Sequence, residues 1–423
     1  MWTVGAGGWR MRREKGDGDE AASVASIETR ETIMSDGGDF YDGYSNDLDD
    51  EQQIDEAIEN LTEERTTTRI AALENLTSYL LQYMAPKDVK DSFVNNVFGC
   101  LRKPSEAEIL LGSRILTIMA IIFGGNEERF LQRSKATLQP LMKRARNGKV
   151  KTATIRALAL ICFVCSVEEE NTEELLKLFE TYFDSKISGD VCKAALDSWV
   201  LVASSLSDEI IASEEEMERL VPKLLVLLSH NDVDVRSAAG ENVAFLYESA
   251  QNCCVSIPCK DEILERFLEM SKSNNKKNSK KDRKTQRVVF RDINSTFVVG
   301  LHYCEARCFW VLFFTLMYTL FRQTGETPHI SFAVKGEMLE IRSWRSVKQF
   351  EAFKDCLQSG LQNHIKYNSV LREILDLPDT LEDRKVDRRD IFDKKSTSRK
   401  KRSNKLNGDR LRKCYMHNVF YDG

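Results

Sequence analysis

Five stretches of this chain repeat one arrangement, a small residue near the start of an apolar helical run with large apolar residues one to three turns later. They are RIAALENLTSYLLQYM at 69–84, EILLGSRILTIMAIIF at 108–123, TIRALALICFVC at 154–165, VCKAALDSWVLVASSL at 191–206 and DVRSAAGENVAFLY at 234–247. In the first, Ile70, Leu73, Leu76, Leu80 and Met84 fall on adjoining turns of one face. The small residues Ala71, Gly112, Ala157, Ala194 and Ala238 recur about every 37 to 45 residues, the period of HEAT and armadillo repeats. Small residues let paired helices approach closely, and stacking buries the second face of each pair. Companion helices such as TEELLKLFETYF and EMERLVPKLLVLLS lie between these runs, and KPSE, GGNE, ARNGK, SGD and SHND punctuate them as loops. The pattern predicts a mainly α chain built on a HEAT/armadillo-like α-solenoid over 54–270; the competing reading is a non-repetitive helical bundle.

Charge divides the rest. Every charge between Asp36 and Glu64 is negative, and 1–53 lacks sustained periodicity, so it is expected to be a disordered acidic arm. Residues 271–286 hold Lys, Asn and Ser with almost no apolar side chain and are expected to form a Lys-rich flexible linker. A small α+β or helical C-terminal domain is then expected over 287–377. In it, HISFAVKGEMLEIRSW alternates as a hairpin turning at Lys335–Gly336, and RSVKQFEAFKDCLQSGL and NSVLREILDL read as helices. Residues 378–423 read as a basic disordered tail, since Pro378 stops the last helix.

Residues 1–34 lack the pattern of a signal peptide, so the eleven cysteines are expected to be reduced thiols of a protein in the cytoplasm and nucleus. The Asn-x-Thr triplets at Asn60, Asn75 and Asn294 are then chance matches. The apolar run 308–321 is shorter than the roughly twenty residues a bilayer requires, so no membrane partner is expected. Cys162 and Cys165 form a CxxC inside an apolar helical run, where packing outranks metal binding, and Cys253, Cys254 and Cys259 have no histidine near them. The sequence carries no HExxH, no phosphate-cradling glycine loop and no nucleophile motif. The expectation is therefore no enzyme, no metal, no cofactor and no small-molecule substrate.

Two charge runs carry the functional signal. KKNSKKDRK offers Lys276, Lys277, Lys280, Lys281, Arg283 and Lys284, and KKSTSRKKR offers Lys394, Lys395, Arg399, Lys400, Lys401 and Arg402. Cations on flexible backbone suit phosphate contact with counterion release, or recognition by an import receptor; the bland alternative is a solvated linker and tail. Aromatic residues for base stacking are sparse in the tail, so any RNA contact is expected to run through the backbone.

QRVVFRDI, the later FAVKGEMLEIRSWRSVKQFEAFKDCLQSGLQNHIKYNSVLREIL, and the earlier SEAEILLGSRILTIMAIIFG and VDVRSAAGENVAFLYE together resemble the interferon-related developmental regulator family. The resemblance covers about residues 50 to 377. It implies an armadillo- or HEAT-like domain followed by a family-specific C-terminal domain, without catalysis. It further implies two partner classes, translationally idle ribosomes with their ribosomal RNA and transcriptional corepressor proteins, with Gln349–Leu375 and the basic tail as RNA-reaching elements. The chain departs from the family at Val298–Gln323. Removing that stretch joins FRDINSTF to TGETPHISF and restores the family's run. Valine codons begin GT and one glutamine codon is CAG, the ends of an unspliced intron, so 298–323 is read as a retained-intron insertion. A membrane-interacting helix and a lineage-specific buried helix are the alternatives.

Overall fold

The computed structural model describes residues 47–82, 91–124, 127–272, 279–307, 330–334 and 337–377. Its helices come in pairs: α1 (Asp47–Asn60) with α2 (Thr66–Leu81), α3 (Asp91–Cys100) with α4 (Glu106–Phe123), and α5 (Glu128–Arg144) with α6 (Gly148–Cys165). Next come α7 (Glu169–Glu180) with α8 (Gly189–Ala203), then the single turn α9 (Asp208–Ile211), α10 (Glu214–Leu227) with α11 (Val233–Asn252), and α12 (Lys260–Lys272) with α13 (Lys280–Arg307). In each pair the first helix packs on the second, and the second helices pack on one another in chain order, α2 on α4, α4 on α6, α6 on α8, α8 on α11 and α11 on α13. The described chain is therefore mainly helical, with the second helices forming a continuous ladder.

Chemistry separates the two helices of a pair. The ladder helices are apolar nearly all round, as in α6, where Ile155, Leu158, Ile161, Cys162 and Cys165 are all buried, which is the signature of a helix with neighbours on several sides. The outer helices are amphipathic. In α10 Met217, Leu220, Val221 and Leu224 are buried while its first turn carries Glu214, Glu215 and Glu216, placing anions at the positive end of the helix dipole. Three of the ladder helices, α4, α6 and α11, begin on side-chain caps that their sequences provide. Ser105 and Glu108 form a capping box on α4, with the Glu108 carboxylate accepting the Ser105 N–H at 2.7 Å, and Asn147 and Asp232 accept the N–H two residues on at α6 and α11. Each such cap contributes about 1 kcal/mol.

Four of the five small anchors sit where close helix contact requires them. Gly112, Ala157, Ala194 and Ala238 are buried. Ala71 is exposed, and its neighbour Ala72 is the buried one, because α2 turns that side outward. Met84, assigned to the same face, lies outside the described residues.

Packing crosses the boundary expected at 271–286. Residues 280–286, read from composition as spacer, are the opening turns of α13. The physical cause lies further along the same helix, where Val289, Phe290, Ile293 and Phe297 are buried. Phe297 stacks on Tyr247 of α11 with ring centroids 3.9 Å apart, and Phe267 of α12 contacts both Phe290 and Phe297. Gly240 of α11 permits this approach, since a Cβ there would stand 2.8 Å from the Phe290 ring. A lysine-rich start is tolerated because those side chains occupy the solvent side of a helix anchored by its later turns. Residues 273–278 of the expected linker lie outside the described residues, as do 1–46 of the arm expected over 1–53 and the tail, whereas 47–53 are not part of a structureless arm but the opening turns of α1. Of the interruption at 298–323, the α13 backbone continues to Arg307 and 308–323 lies outside the described residues.

Beyond this, β1 (Ile330–Val334) and β2 (Glu337–Ile341) pair antiparallel, with Ile330 opposite Ile341 and Val334 opposite Glu337. Helix α14 (Trp344–Leu357), a 3-10 turn (Gln358–Gly360) and α15 (Leu361–Tyr367) follow, then the short α16 (Ser369–Ile374). The chain up to Val370 forms one compact unit and a second begins at Leu371. The segment from Trp344 to Val370, expected in a separate C-terminal domain, is thus part of the same unit as the helical pairs.

Candidate interaction surfaces

Two surfaces of the ladder carry the chemistry. The first is the edge where each outer helix turns into its ladder helix. Arg69 Nε donates to Glu108 at 2.7 Å between the starts of α2 and α4, and Asn147 donates to Glu106 at 2.8 Å between the starts of α4 and α6. Gly148 backs onto Val191, Gly189 lies against the Asp232 carboxylate, and Arg236 donates to Gln286 at 2.6 Å. The ladder helices therefore start side by side, and their preceding turns share one edge. Glu108 is buried there; desolvation opposes its charge, but the Ser105 N–H and the Arg69 guanidinium outweigh it and hold the carboxyl below its ordinary range.

The sequence candidates on described backbone sit on this edge. Lys280, Lys281 and Lys284 are exposed in the opening turns of α13, and Arg283 is half-buried among them. Lys276 and Lys277 fall outside the described residues, as do Lys394, Lys395, Arg399, Lys400, Lys401 and Arg402. Cations at a helix start oppose the helix dipole by a few tenths of a kcal/mol each, so this placement is not one that helix stability favours. Reading for lysine runs missed a second group on the same edge. From Arg129 to Val167 the chain has nine Lys or Arg and no Asp or Glu. Four of these, Lys143, Arg144, Arg146 and Lys149, are exposed at the turn into α6. A count of acids over the interval would have found them.

The second surface is the flank of the ladder helices, which α14 and α15 cross from the last pair to the first. Trp344 donates its indole N–H to Thr296 of α13 at 3.0 Å, and its backbone N–H to Glu248 of α11 at 2.7 Å. Burial pushes the Glu248 carboxyl above its ordinary value against the pull of the Trp344 and Arg345 N–H groups, so it caps α14 from a neighbouring helix. Arg345 reaches the Leu206 carbonyl at 3.0 Å and pairs with Asp208. Lys348, 5% exposed, pairs with Glu241 and, at 2.9 Å, with Glu351. Burial works against the Lys348 ammonium, but the Glu241, Glu351 and Asp197 carboxylates outweigh it and hold its pKa above that of an ordinary lysine. Asp197 is held below its ordinary value by Lys193 and Lys348 despite its desolvation.

Further along, Phe353 meets Phe163 of α6 edge to face, and Arg114 of α4 donates to the Cys356 carbonyl at 3.1 Å. Gly360 passes so close to α2 that a Cβ would stand 2.3 Å from the Leu81 carbonyl oxygen. His364 Nε2–H donates to the Leu80 carbonyl at 3.0 Å, and burial pushes its pKa down to about 4. Asn368 donates to the Ile121 carbonyl at 2.7 Å. Gln349 and the residues after it, the other RNA-reaching candidates, are thus engaged with the chain's own ladder as far as Val370, Gln349 itself donating to Ser204 at 3.0 Å.

Cys162 and Cys165 are buried in α6, where desolvation pushes their thiols up to about 11 and about 12, so their CxxC is packing. Among the described residues no helix is long and apolar enough to cross a membrane; the apolar run at 308–321 lies outside them.

A family model described as interferon-related developmental regulator matches residues 21–297. The chain is 27% identical over 383 residues to interferon-related developmental regulator 2 of Mus musculus, covering 85% of this chain and 79% of that protein. It is 24% identical over 388 residues to interferon-related developmental regulator 1 of Homo sapiens, covering 85% and 80%. Among solved structures, a designed armadillo repeat protein covers 57% of this chain and 99% of its own, at 17% identity and a TM-score of 0.38.

Proposed function

The chain belongs to the interferon-related developmental regulator family, and we propose that it is a non-enzymatic regulatory scaffold that binds idle ribosomes through ribosomal RNA and so regulates translation. The observation that carries this reading is the exposed cationic start of α13, where Lys280, Lys281 and Lys284 face solvent on a helix held by Phe290 and Phe297. An ordered cationic element loses less conformational entropy on meeting phosphate than a free lysine linker does. The tail cations from Lys394 to Arg402 add reach to the same partner. The test is sedimentation of the tagged protein through sucrose gradients from growing and starved cells. Co-sedimentation with ribosomes that rises on starvation and falls at high salt supports the reading, and a ribosome-free profile under all conditions removes it.

A second reading, a nuclear co-regulator that recruits corepressor proteins, draws on the ladder flank. That surface seats one amphipathic helix, α14, and chemistry of this kind serves protein helices as partners. Here the basic runs would serve an import receptor and the protein would divide between cytoplasm and nucleus. Replacing the cations of 276–284 and 394–402 with glutamine should then abolish nuclear accumulation of a fluorescent fusion.

A further inference from the structure

We propose that the turns into α4 and α6 form an RNA-backbone contact patch, made by Arg102, Lys103, Lys143, Arg144, Arg146 and Lys149. This rests on the ribosomal RNA reading above and names a contact surface for it that the lysine runs do not include. All six side chains are exposed. The hydrogen bond from Asn147 to Glu106 sets the two turns against each other, at the roughly 8–10 Å spacing of packed helices. Among the described residues none of the six takes part in an ion pair. Arg144 donates only to Pro140 within its own helix. Three other cations of the acid-free interval are occupied: Arg133 lies over the Phe98 ring, Lys135 holds Asn171 and Glu174, and Arg156 faces Asp355. Glu106 is the carboxylate within the patch, and it accepts the Asn147 amide. Glu63 and Glu64 stand with Arg65 on the turn before, and Asp184 with Lys186 on the turn after, so neither neighbouring turn carries a net positive charge.

The chemistry of the patch selects the partner. Protein interfaces draw most of their energy from buried aromatic and apolar anchors, and the exposed large apolar residues among those described, Val167, Val226, Val255 and Leu268, all lie outside the patch. Binding here must come from charge alone. A phosphate backbone rewards that design through counterion release, whereas an acidic protein with sparse charge gains little.

The test uses the full chain and a fluorescein-labelled RNA duplex of about 16 base pairs, read by fluorescence anisotropy across a series of potassium chloride concentrations, with ribosome pelleting in parallel. The variant carries Lys143→Gln, Arg144→Gln, Arg146→Gln and Lys149→Gln. All four positions are exposed, so its thermal midpoint should match the wild type, and a second variant with Lys143→Arg and Lys149→Arg should bind as the wild type does. The quadruple variant should lose at least about ten-fold in affinity near 0.15 M salt, and the slope of log K against log salt should shrink by about 3 to 4. If the wild type binds duplex and ribosomes while the variant matches it in affinity and slope, the patch assignment is overturned and the ribosomal reading stands. If the wild type binds neither, both fall. Competition by polyglutamate as effective as by RNA at equal charge would assign the patch to acidic protein and overturn the RNA partner.

Discussion

The ladder flank and the turn edge use the same two residue types for opposite purposes. On the flank, Lys348 and Arg345 are enclosed by carboxylates and carbonyls that their own fold supplies, and they hold α14 in place. On the edge, Lys143, Lys149 and Lys280 stand in solvent and enter no ion pair among the described residues. A lysine therefore tells little until its surroundings are known. Where the protein answers a charge itself, the charge belongs to the architecture. Where it leaves a charge open, the charge is available to a partner.

Substitutions should separate the two regions, beginning with the largest effect on stability. Lys348→Ala leaves the largely enclosed Glu241 without its cation, while Asp197 keeps Lys193, and should cost about 3–5 kcal/mol in urea unfolding. Adding Glu241→Leu to Lys348→Met should recover much of that loss; no recovery would mean that packing of the lysine stem, not charge, is what matters. Acid should act next, through His364. Its folded pKa of about 4 lies below the ordinary 6.5, so the unfolded state takes up the proton first. The contribution is complete above pH 6.5 and is lost as pH falls toward 4, by about 3 kcal/mol in all. Comparing the thermal midpoint of wild type and His364→Gln from pH 7 to 4 isolates that part, and parallel curves would refute it. Gly240→Ala should cost about 1–3 kcal/mol by crowding Phe290 and Ile293 at the α11–α13 seam, read by the same unfolding curves. Smallest of all, Lys280→Gln, Lys281→Gln and Lys284→Gln together should move stability by less than about 0.5 kcal/mol. A larger loss would transfer these lysines to the architectural class.

Helical periodicity and recurring small residues made the array legible, because both report local geometry that repeats. Gly112, Ala157, Ala194 and Ala238 are buried where that logic places them, and Ala71 against Ala72 shows its limit of one residue. The sixth pair was hidden because KKNSKKDRK dominates the composition at its start, while the apolar spacing of Val289, Phe290, Ile293 and Phe297 comes later in the same helix. The course of α14 and α15 over the ladder was not legible at all. It depends on partners such as Glu248, Asp208 and Glu241, each ordinary in its own stretch of sequence. The cations at the turn into α6 escaped for a different reason. They are not consecutive, so only the missing acids around them mark the interval.

The bond from His364 to Leu80 spans 284 positions of the chain, and this has a consequence for biosynthesis. At about 5–20 residues per second, α2 leaves the ribosome tens of seconds before the helix that will cover it. Throughout that interval each ladder helix can stack on its predecessor, but the flank has no cover of its own. A nascent chain therefore presents a growing unprotected surface to whatever waits at the exit tunnel, and truncation before residue 344 would make that state permanent. Such fragments should be captured by chaperones in proportion to the number of pairs they contain, whereas the full chain should release them once α15 closes on α2.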